Sequence, residues 1–118
     1  MDHRLKHRKV IEKVFAEGKS LFIHPVKAAW LIIDHEDITE VSFKYAVSVP
    51  KRLFRKASDR NLLKRRMRES VRTLVPEGKG HKTMAVVFIY ISREPESFRE
   101  IDRAILILMK KLKAKLER

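Results

Sequence analysis

The chain has no cysteine among its 118 residues. This absence excludes disulfide bonds, thiolate metal sites and a cysteine nucleophile, and it agrees with a reducing compartment.

Hydrophobic runs are also short. The apolar run at residues 85–91 is far shorter than the roughly 20 residues that a membrane-spanning helix needs. The first nine residues, MDHRLKHRK, lack the apolar core of a signal peptide. We therefore expect a cytoplasmic protein that does not associate with a membrane.

Motifs for protein-borne catalysis are missing as well. No glycine-rich phosphate loop, G-x-S-x-G elbow or H-E-x-x-H sequence occurs. His3 and His7 have the i,i+4 spacing of two metal ligands, but without a third ligand they are better assigned to a basic terminal helix. Residues 34–37 (DHED) resemble a carboxylate pocket only in composition, and we interpret them as a solvated hairpin turn. We predict no catalytic residue, metal site or cofactor on the protein itself.

Acidic residues are scarce relative to basic ones. The chain carries 28 Lys and Arg against 15 Asp and Glu, a formal net charge of +13. An excess of this size favours a polyanionic partner, with nucleic acid as the first candidate. A chain of this length with 44% hydrophobic residues suits one core, so we predict a single nucleic-acid-binding domain over residues 1–118.

The positive charge is concentrated in residues 51–72, KRLFRKASDRNLLKRRMRESVR, which hold ten Lys or Arg and only two acids. At about 100° per residue, Leu63, Met67 and Val71 fall on one stripe, with a basic arc beside it. A solvated face is the ordinary interpretation of a charge run, but such faces mix signs at i,i+4 spacing. Here the neighbours are mostly like-charged. The pattern predicts an amphipathic helix whose basic arc meets an anion.

Periodicity and turn residues predict the other elements. A first helix covers residues 5–17 and ends at Gly18, followed by a strand over residues 20–33 that is interrupted near Pro25. A second strand covers residues 41–49, and residues 34–39 form the hairpin loop before it.

The basic helix is predicted to be capped by Ser58 or Asp59. Residues 83–91 are apolar on both faces, which places their strand centrally in the sheet. A third helix begins near Glu96, with Phe98, Ile101, Ile105, Leu108 and Leu112 on its core stripe. The order α-β-β-β-α-β-α predicts an α+β fold, a small two-layer α/β sandwich.

The chain resembles a known family, the protein subunit of bacterial ribonuclease P. The family's signature is a basic helix with a pattern like R-N-R-x-x-K-R-x-x-R-E, or a near variant of it, after a strand and a lysine-rich loop. This chain has AVSVPKR at residues 46–52, RNLLKRRMRE at residues 60–69 and VFAEGKS at residues 14–20. The similarity extends over nearly the whole chain. It implies a ribosomal-protein domain-2-like fold with a left-handed βαβ crossover through the basic helix, although crossovers are right-handed by default.

The resemblance also implies a function. The protein would be the non-catalytic subunit of a tRNA-processing endonuclease, a ribonucleoprotein hydrolase that removes the 5′ leader from precursor tRNA. The chemistry would take place at Mg²⁺ ions held by the catalytic RNA. Carried across by position, the residues that contact that RNA are Lys51, Arg52, Arg60, Asn61, Lys64, Arg65 and Arg68.

One position departs from the family's pattern. Leu62 stands where the family usually has a second arginine. On a helical wheel we place Leu62 opposite the basic arc, and Arg66 is the candidate replacement.

The second site that the resemblance implies is a cleft between the first helix and the open face of the sheet, which receives the leader. Phe15 matches an aromatic at the end of the family's first helix, and Trp30 stands near a strand aromatic of the family. Aromatic side chains on an open sheet stack on single-stranded bases at about 1 to 3 kcal/mol per base. Ordinary core packing is the alternative for both residues.

Two other functions are compatible with the composition. A ribosomal or other structural RNA-binding protein without a catalytic role is supported by charge and fold type alone. A self-sufficient nuclease would need a carboxylate cluster on a cleft wall, whereas the acids here are predicted to lie in turns. The RNA that copurifies distinguishes the ribonuclease P subunit from the structural RNA-binding protein.

Overall fold

The structure, a computed structural model, describes residues 2–39 and 41–117. Its helices and strands follow the predicted order, which confirms the α+β class. They are α1 (Arg8–Glu17), β1 (Lys19–Ile23), β2 (Val26–Thr39), β3 (Phe43–Ser48), α2 (Ala57–Arg72), β4 (Gly80–Tyr90) and α3 (Phe98–Leu116).

The four strands form one mixed sheet in the order β1-β2-β4-β3. β1 and β2 form an antiparallel hairpin at Pro25, where the predicted interruption falls. β4 pairs antiparallel with β2 and parallel with β3, so its predicted central position is confirmed. Because α2 connects the parallel strands β3 and β4, these elements form a βαβ unit. The left-handed sense of its crossover stays a prediction of the resemblance.

The hairpin loop predicted for residues 34–39 is wrong. β2 continues to Thr39, with Asp34 opposite Lys82 and Thr39 opposite Gly80 across an irregularity in the ladder. β3 lies on the far side of β4 and does not pair with β2. The polar composition suggested a turn, but both ends of this segment pair with the long strand β4, and this pairing overrides the local preference.

The helices cover the two faces of the sheet unequally. α2 and α3 pack on one face and enclose the main core with the strands. Ser70 of α2 is buried there, and its hydroxyl donates a 2.6 Å hydrogen bond to Asp102 Oδ1 of α3. α1 packs on the opposite face, where Val14 is buried against Ala29 and Val87. This second face is covered only in part, which leaves room for a ligand beside α1.

The residues before α1 are extended rather than helical. α1 begins at Arg8 instead of residue 5, because the preceding segment pairs with the free edge of β3. Leu5 N donates to Tyr45 O and Tyr45 N donates to His3 O, both at 2.8 Å. His3 and His7 therefore do not share a helix, and the i,i+4 metal geometry does not form.

Two helix starts differ from the prediction. The N-cap of α2 is Lys56, without a side-chain cap, so neither Ser58 nor Asp59 caps the helix. Asp59 lies in the first turn, where its charge complements the helix dipole. α3 begins at Phe98 after Ser97, whose hydroxyl accepts a hydrogen bond from Glu100 N. Phe98 is 44% exposed and does not belong to the core stripe.

Gly18 is required where α1 meets β1. A Cβ atom at this position would lie 2.3 Å from Val14 O and 2.6 Å from Trp30 O, both backbone atoms. We expect Gly18→Ala to cost about 1 to 3 kcal/mol and to lower the melting temperature by about 5 °C or more. Gly80→Ala is the matched control, since the nearest atom to its Cβ would be 4.0 Å away. Equal melting temperatures for the two variants would contradict this close approach.

Candidate nucleic-acid interface

The basic helix α2 has the predicted buried stripe. Leu63, Met67 and Val71 are fully buried against the sheet and α3. This stripe fixes the rotation of the helix, so the opposite side faces solvent. The residues on that side, which we call the outer side of α2, are the exposed Asn61, Arg65, Arg68 and Arg72 and the half-buried Lys64.

All but one of the basic side chains at positions 51–72 lack an acidic partner among the described residues. Of the basic residues in positions 51–72, only Arg72 forms an ion pair with a described residue, at 3.0 Å from Glu69. The side chains of Lys64, Arg65 and Arg68 form no ion pair or hydrogen bond within the part of the chain that the structure describes. Like charges this close on a helix destabilise it. A bound polyanion would relieve the repulsion.

Arg60 is positioned differently from the other predicted RNA contacts. It is half-buried, and its Nη1 donates to Phe54 O at 2.8 Å and to Arg55 O at 2.7 Å. These bonds fasten the basic loop, with exposed Lys51 and Arg52, onto the start of α2. Arg60 therefore has a structural role that its position in the motif did not indicate.

Two predictions were made about Leu62, which stands where the family usually has a second arginine, and both are wrong. Leu62 lies beside the basic arc, because it lines a shallow depression with Asn61, Arg65 and Arg68. Arg66 cannot replace the missing arginine there, since its Nη1 donates a 2.8 Å bond to Glu96 O next to α3. The side chain of Arg66 ties α2 to the β4–α3 connection instead.

The face that carries α1 exposes two large aromatic side chains. Phe15 is 56% exposed at the end of α1, so the alternative of core packing does not apply to it. Phe22 of β1 is 62% exposed, and Lys27 Nζ lies 5.2 Å from its ring centroid. Lys27 is paired with Ile89, which packs in the core beneath α1, so both residues belong to this face. The alternation of residues 21–23 was the signal that could have identified Phe22.

Trp30 does not line the cleft beside α1. Its neighbours Ala29 and Leu31 pack towards α1, so the strand's period of two directs Trp30 to the face covered by α3. It is 7% exposed, and Lys19 Nζ and Lys115 Nζ lie 5.8 and 5.6 Å from its ring centroid. The predicted placement of Trp30 beside Phe15 in the cleft is therefore wrong, and the alternative of core packing is correct.

No cluster of three or more His, Asp or Glu side chains among the described residues is placed to hold a metal ion. No helix in this part of the chain combines the length and apolarity needed to cross a membrane.

Comparison with known proteins places this arrangement in a family. Residues 1–113 match the family model described as Ribonuclease P. The chain is 32% identical over 109 residues to the ribonuclease P protein component of Porphyromonas gingivalis, covering 86% of this chain and 77% of that protein. It is 30% identical over 95 residues to the corresponding protein of a Picosynechococcus species, covering 80% and 78%.

Solved structures share the fold. The RNase P protein of Staphylococcus aureus has a TM-score of 0.70 at 19% identity, covering 96% of this chain and 97% of that one. The RNase P protein of Thermotoga maritima has a TM-score of 0.68 at 25% identity, covering 92% and 96%. The fold, the basic helix and the sequence matches together show that this chain belongs to the ribonuclease P protein family.

Proposed function

We propose that this chain is the protein subunit of ribonuclease P and acts in the cytoplasm on precursor tRNA. The outer side of α2 and the loop before it dock on the catalytic RNA. The face of the sheet beside α1 holds the 5′ leader. The phosphodiester bond between the leader and the mature tRNA is hydrolysed at Mg²⁺ ions bound by the RNA. The protein supplies positive charge and positions the substrate.

The observation that carries this proposal is the set of unpaired cations on α2. The buried stripe of α2 prevents the helix from rotating. The three cations Lys64, Arg65 and Arg68 are therefore held side by side. Cations in this arrangement neutralise neighbouring phosphates and release condensed counterions, which makes the affinity strongly dependent on salt. None of the three forms an ion pair with an acidic side chain among the described residues.

The exposed aromatic side chains support the leader site. Phe15 and Phe22 lie on the same face of the sheet, and the cation of Lys27 lies beside the Phe22 ring. Aromatic rings with an adjacent cation bind single-stranded RNA by base stacking and phosphate contact, without a strong sequence requirement. A leader of variable sequence needs this kind of recognition.

Reconstitution tests the proposal directly. The protein is combined with the catalytic RNA of the same organism and a precursor tRNA at about 150 mM monovalent salt. We expect cleavage at the mature 5′ end to be faster with the protein than with the RNA alone, and absent with the protein alone. If the protein bound RNA but left the cleavage rate unchanged, a structural RNA-binding role would replace the proposed one.

Phe15→Ala tests the leader site. We expect it to weaken binding of precursor tRNA to the reconstituted enzyme by about 1 to 3 kcal/mol, the contribution of one stacked base. Mature tRNA, which has no leader, should bind as before. The melting temperature should change little, because the Phe15 side chain is more than half exposed.

Phe98→Ala is the matched control, as it removes an exposed phenylalanine from α3 on the other face of the sheet. It should leave the ratio of precursor to mature binding unchanged. Equal weakening of both substrates by Phe15→Ala would contradict a leader contact.

A further inference from the structure

A cationic groove lies where the amino-terminal segment runs along the outer edge of β3. It encloses ≈ 440 Å³ between this segment and α2. The residues that matter for its chemistry are Arg4, Lys6, Tyr45, Arg68, Glu69 and Arg72. Of these, only Arg68 belongs to the RNA-binding set that the sequence predicted.

The first wall of the groove is fixed by backbone pairing with β3. Leu5 is buried, and its amide donates to Tyr45 O, which holds the amino-terminal segment in place. Arg4 and Lys6 flank this anchor. Asp2 lies 3.1 Å from both Arg4 Nε and Lys6 Nζ, and hydrogen bonds from the Arg4 backbone and side chain, with one from Lys6, hold the pKa of its carboxyl well below the ordinary value. The two cations are thus kept beside the groove.

The second wall is α2, which contributes Arg68 and Arg72. Arg72 pairs with Glu69, whereas the Arg68 side chain has no partner among the described residues. The groove and its borders therefore combine four cationic side chains with two acids, Asp2 and Glu69. This leaves a net positive site with room for an anion.

Tyr45 forms the floor of the groove. Its ring is held by Phe43 and Phe88, at centroid distances of 6.5 and 6.3 Å. Its hydroxyl has no hydrogen-bond partner in the part of the chain that is described. Burial raises the pKa of this hydroxyl, although Arg68 and Arg72 oppose the shift. At neutral pH the hydroxyl is therefore a donor without an acceptor, beside two guanidinium groups.

We infer that this groove binds a phosphodiester of RNA, with Arg4, Lys6, Arg68 and Arg72 as cations and the Tyr45 hydroxyl as a neutral donor. The inference rests on the proposed function, because Arg68 belongs to both the groove and the outer side of α2. The outer side of α2 and the groove thus form one continuous positive surface, and a single RNA strand can contact both. The amino-terminal segment becomes a second part of the RNA interface.

The test measures affinity for the catalytic RNA and its salt dependence. Arg4→Gln with Lys6→Gln should weaken binding about tenfold or more and lower the slope of log K against log salt by roughly two. Tyr45→Phe keeps the ring and removes only the donor, and should weaken binding about threefold to tenfold. Lys110→Gln with Lys111→Gln removes two exposed cations of α3 as the matched control and should change the affinity less than twofold.

The outcomes separate the groove from the proposed function. If the groove variants bind like wild type while glutamines at Lys64, Arg65 and Arg68 weaken binding, the groove inference fails and the function stands. If neither set weakens binding, both fail. A lower melting temperature with an unchanged salt slope would assign Arg4 and Lys6 only to holding the amino-terminal segment, which would also overturn the inference.

Discussion

Replacing Lys64, Arg65 and Arg68 together by glutamine will abolish support of precursor tRNA cleavage at about 150 mM salt while the domain stays folded. At about 1.5 kcal/mol per charge-assisted contact, three lost contacts correspond to roughly a thousandfold in Kd for the catalytic RNA. The salt slope should fall by roughly three. Glutamine has nearly the helix propensity of lysine and arginine, and removal of like charges relieves repulsion, so the melting temperature should hold or rise.

Arg60 is left in place in this variant because its bonds to Phe54 O and Arg55 O hold the loop. The control replaces Arg99, Lys110 and Lys111 by glutamine, which removes the same charge from exposed positions of α3. Binding and cleavage are measured for both variants beside wild type. Raised Mg²⁺ should restore part of the activity by screening the RNA. A variant of α2 as active as the control would rule out this helix as the docking element.

The buried stripe of α2 was predictable because apolar residues spaced three and four apart in the sequence identify the buried side of an amphipathic helix. The roles of Arg60 and Arg66 were not predictable in this way. Both side chains donate to backbone carbonyls, and the acceptor of Arg66 lies thirty residues away at Glu96. A carbonyl acceptor has no signature in the sequence. The sequence therefore does not distinguish an arginine that donates to a backbone carbonyl from one whose side chain is available to bind a phosphate.

The sheet was also predictable only in part. The apolar composition of residues 83–91 predicted a central strand, and β4 is central. The sides of β2 were harder to assign, because a strand's period of two gives two faces without saying which one a distant helix covers. Trp30 was therefore misplaced, and Phe22 was missed. Only the packing of α1 against Ala29 and Leu31 decides between the faces.

Met67→Asp will unfold the domain. Met67 is fully buried in the main core, and its truncation alone costs about 2 to 5 kcal/mol. An unpaired carboxylate at the same place adds several kcal/mol. The sum is comparable with the whole stability of a domain, about 5 to 15 kcal/mol. Circular dichroism should show loss of the cooperative thermal transition, and RNA binding should fall because the docking surface no longer exists.

Met67→Leu serves as the control, since it nearly conserves volume and should cost less than about 1.5 kcal/mol. Met67→Asp changes the charge by only one unit, whereas the three glutamines on the outer side of α2 remove three positive charges. If charge alone governed RNA binding, the aspartate would be the milder variant. We expect it to be the more damaging to the fold, because the stripe at Leu63, Met67 and Val71 holds α2 in the orientation that presents its cations. A cooperative melt of Met67→Asp close to that of Met67→Leu would contradict this dependence of the interface on the stripe.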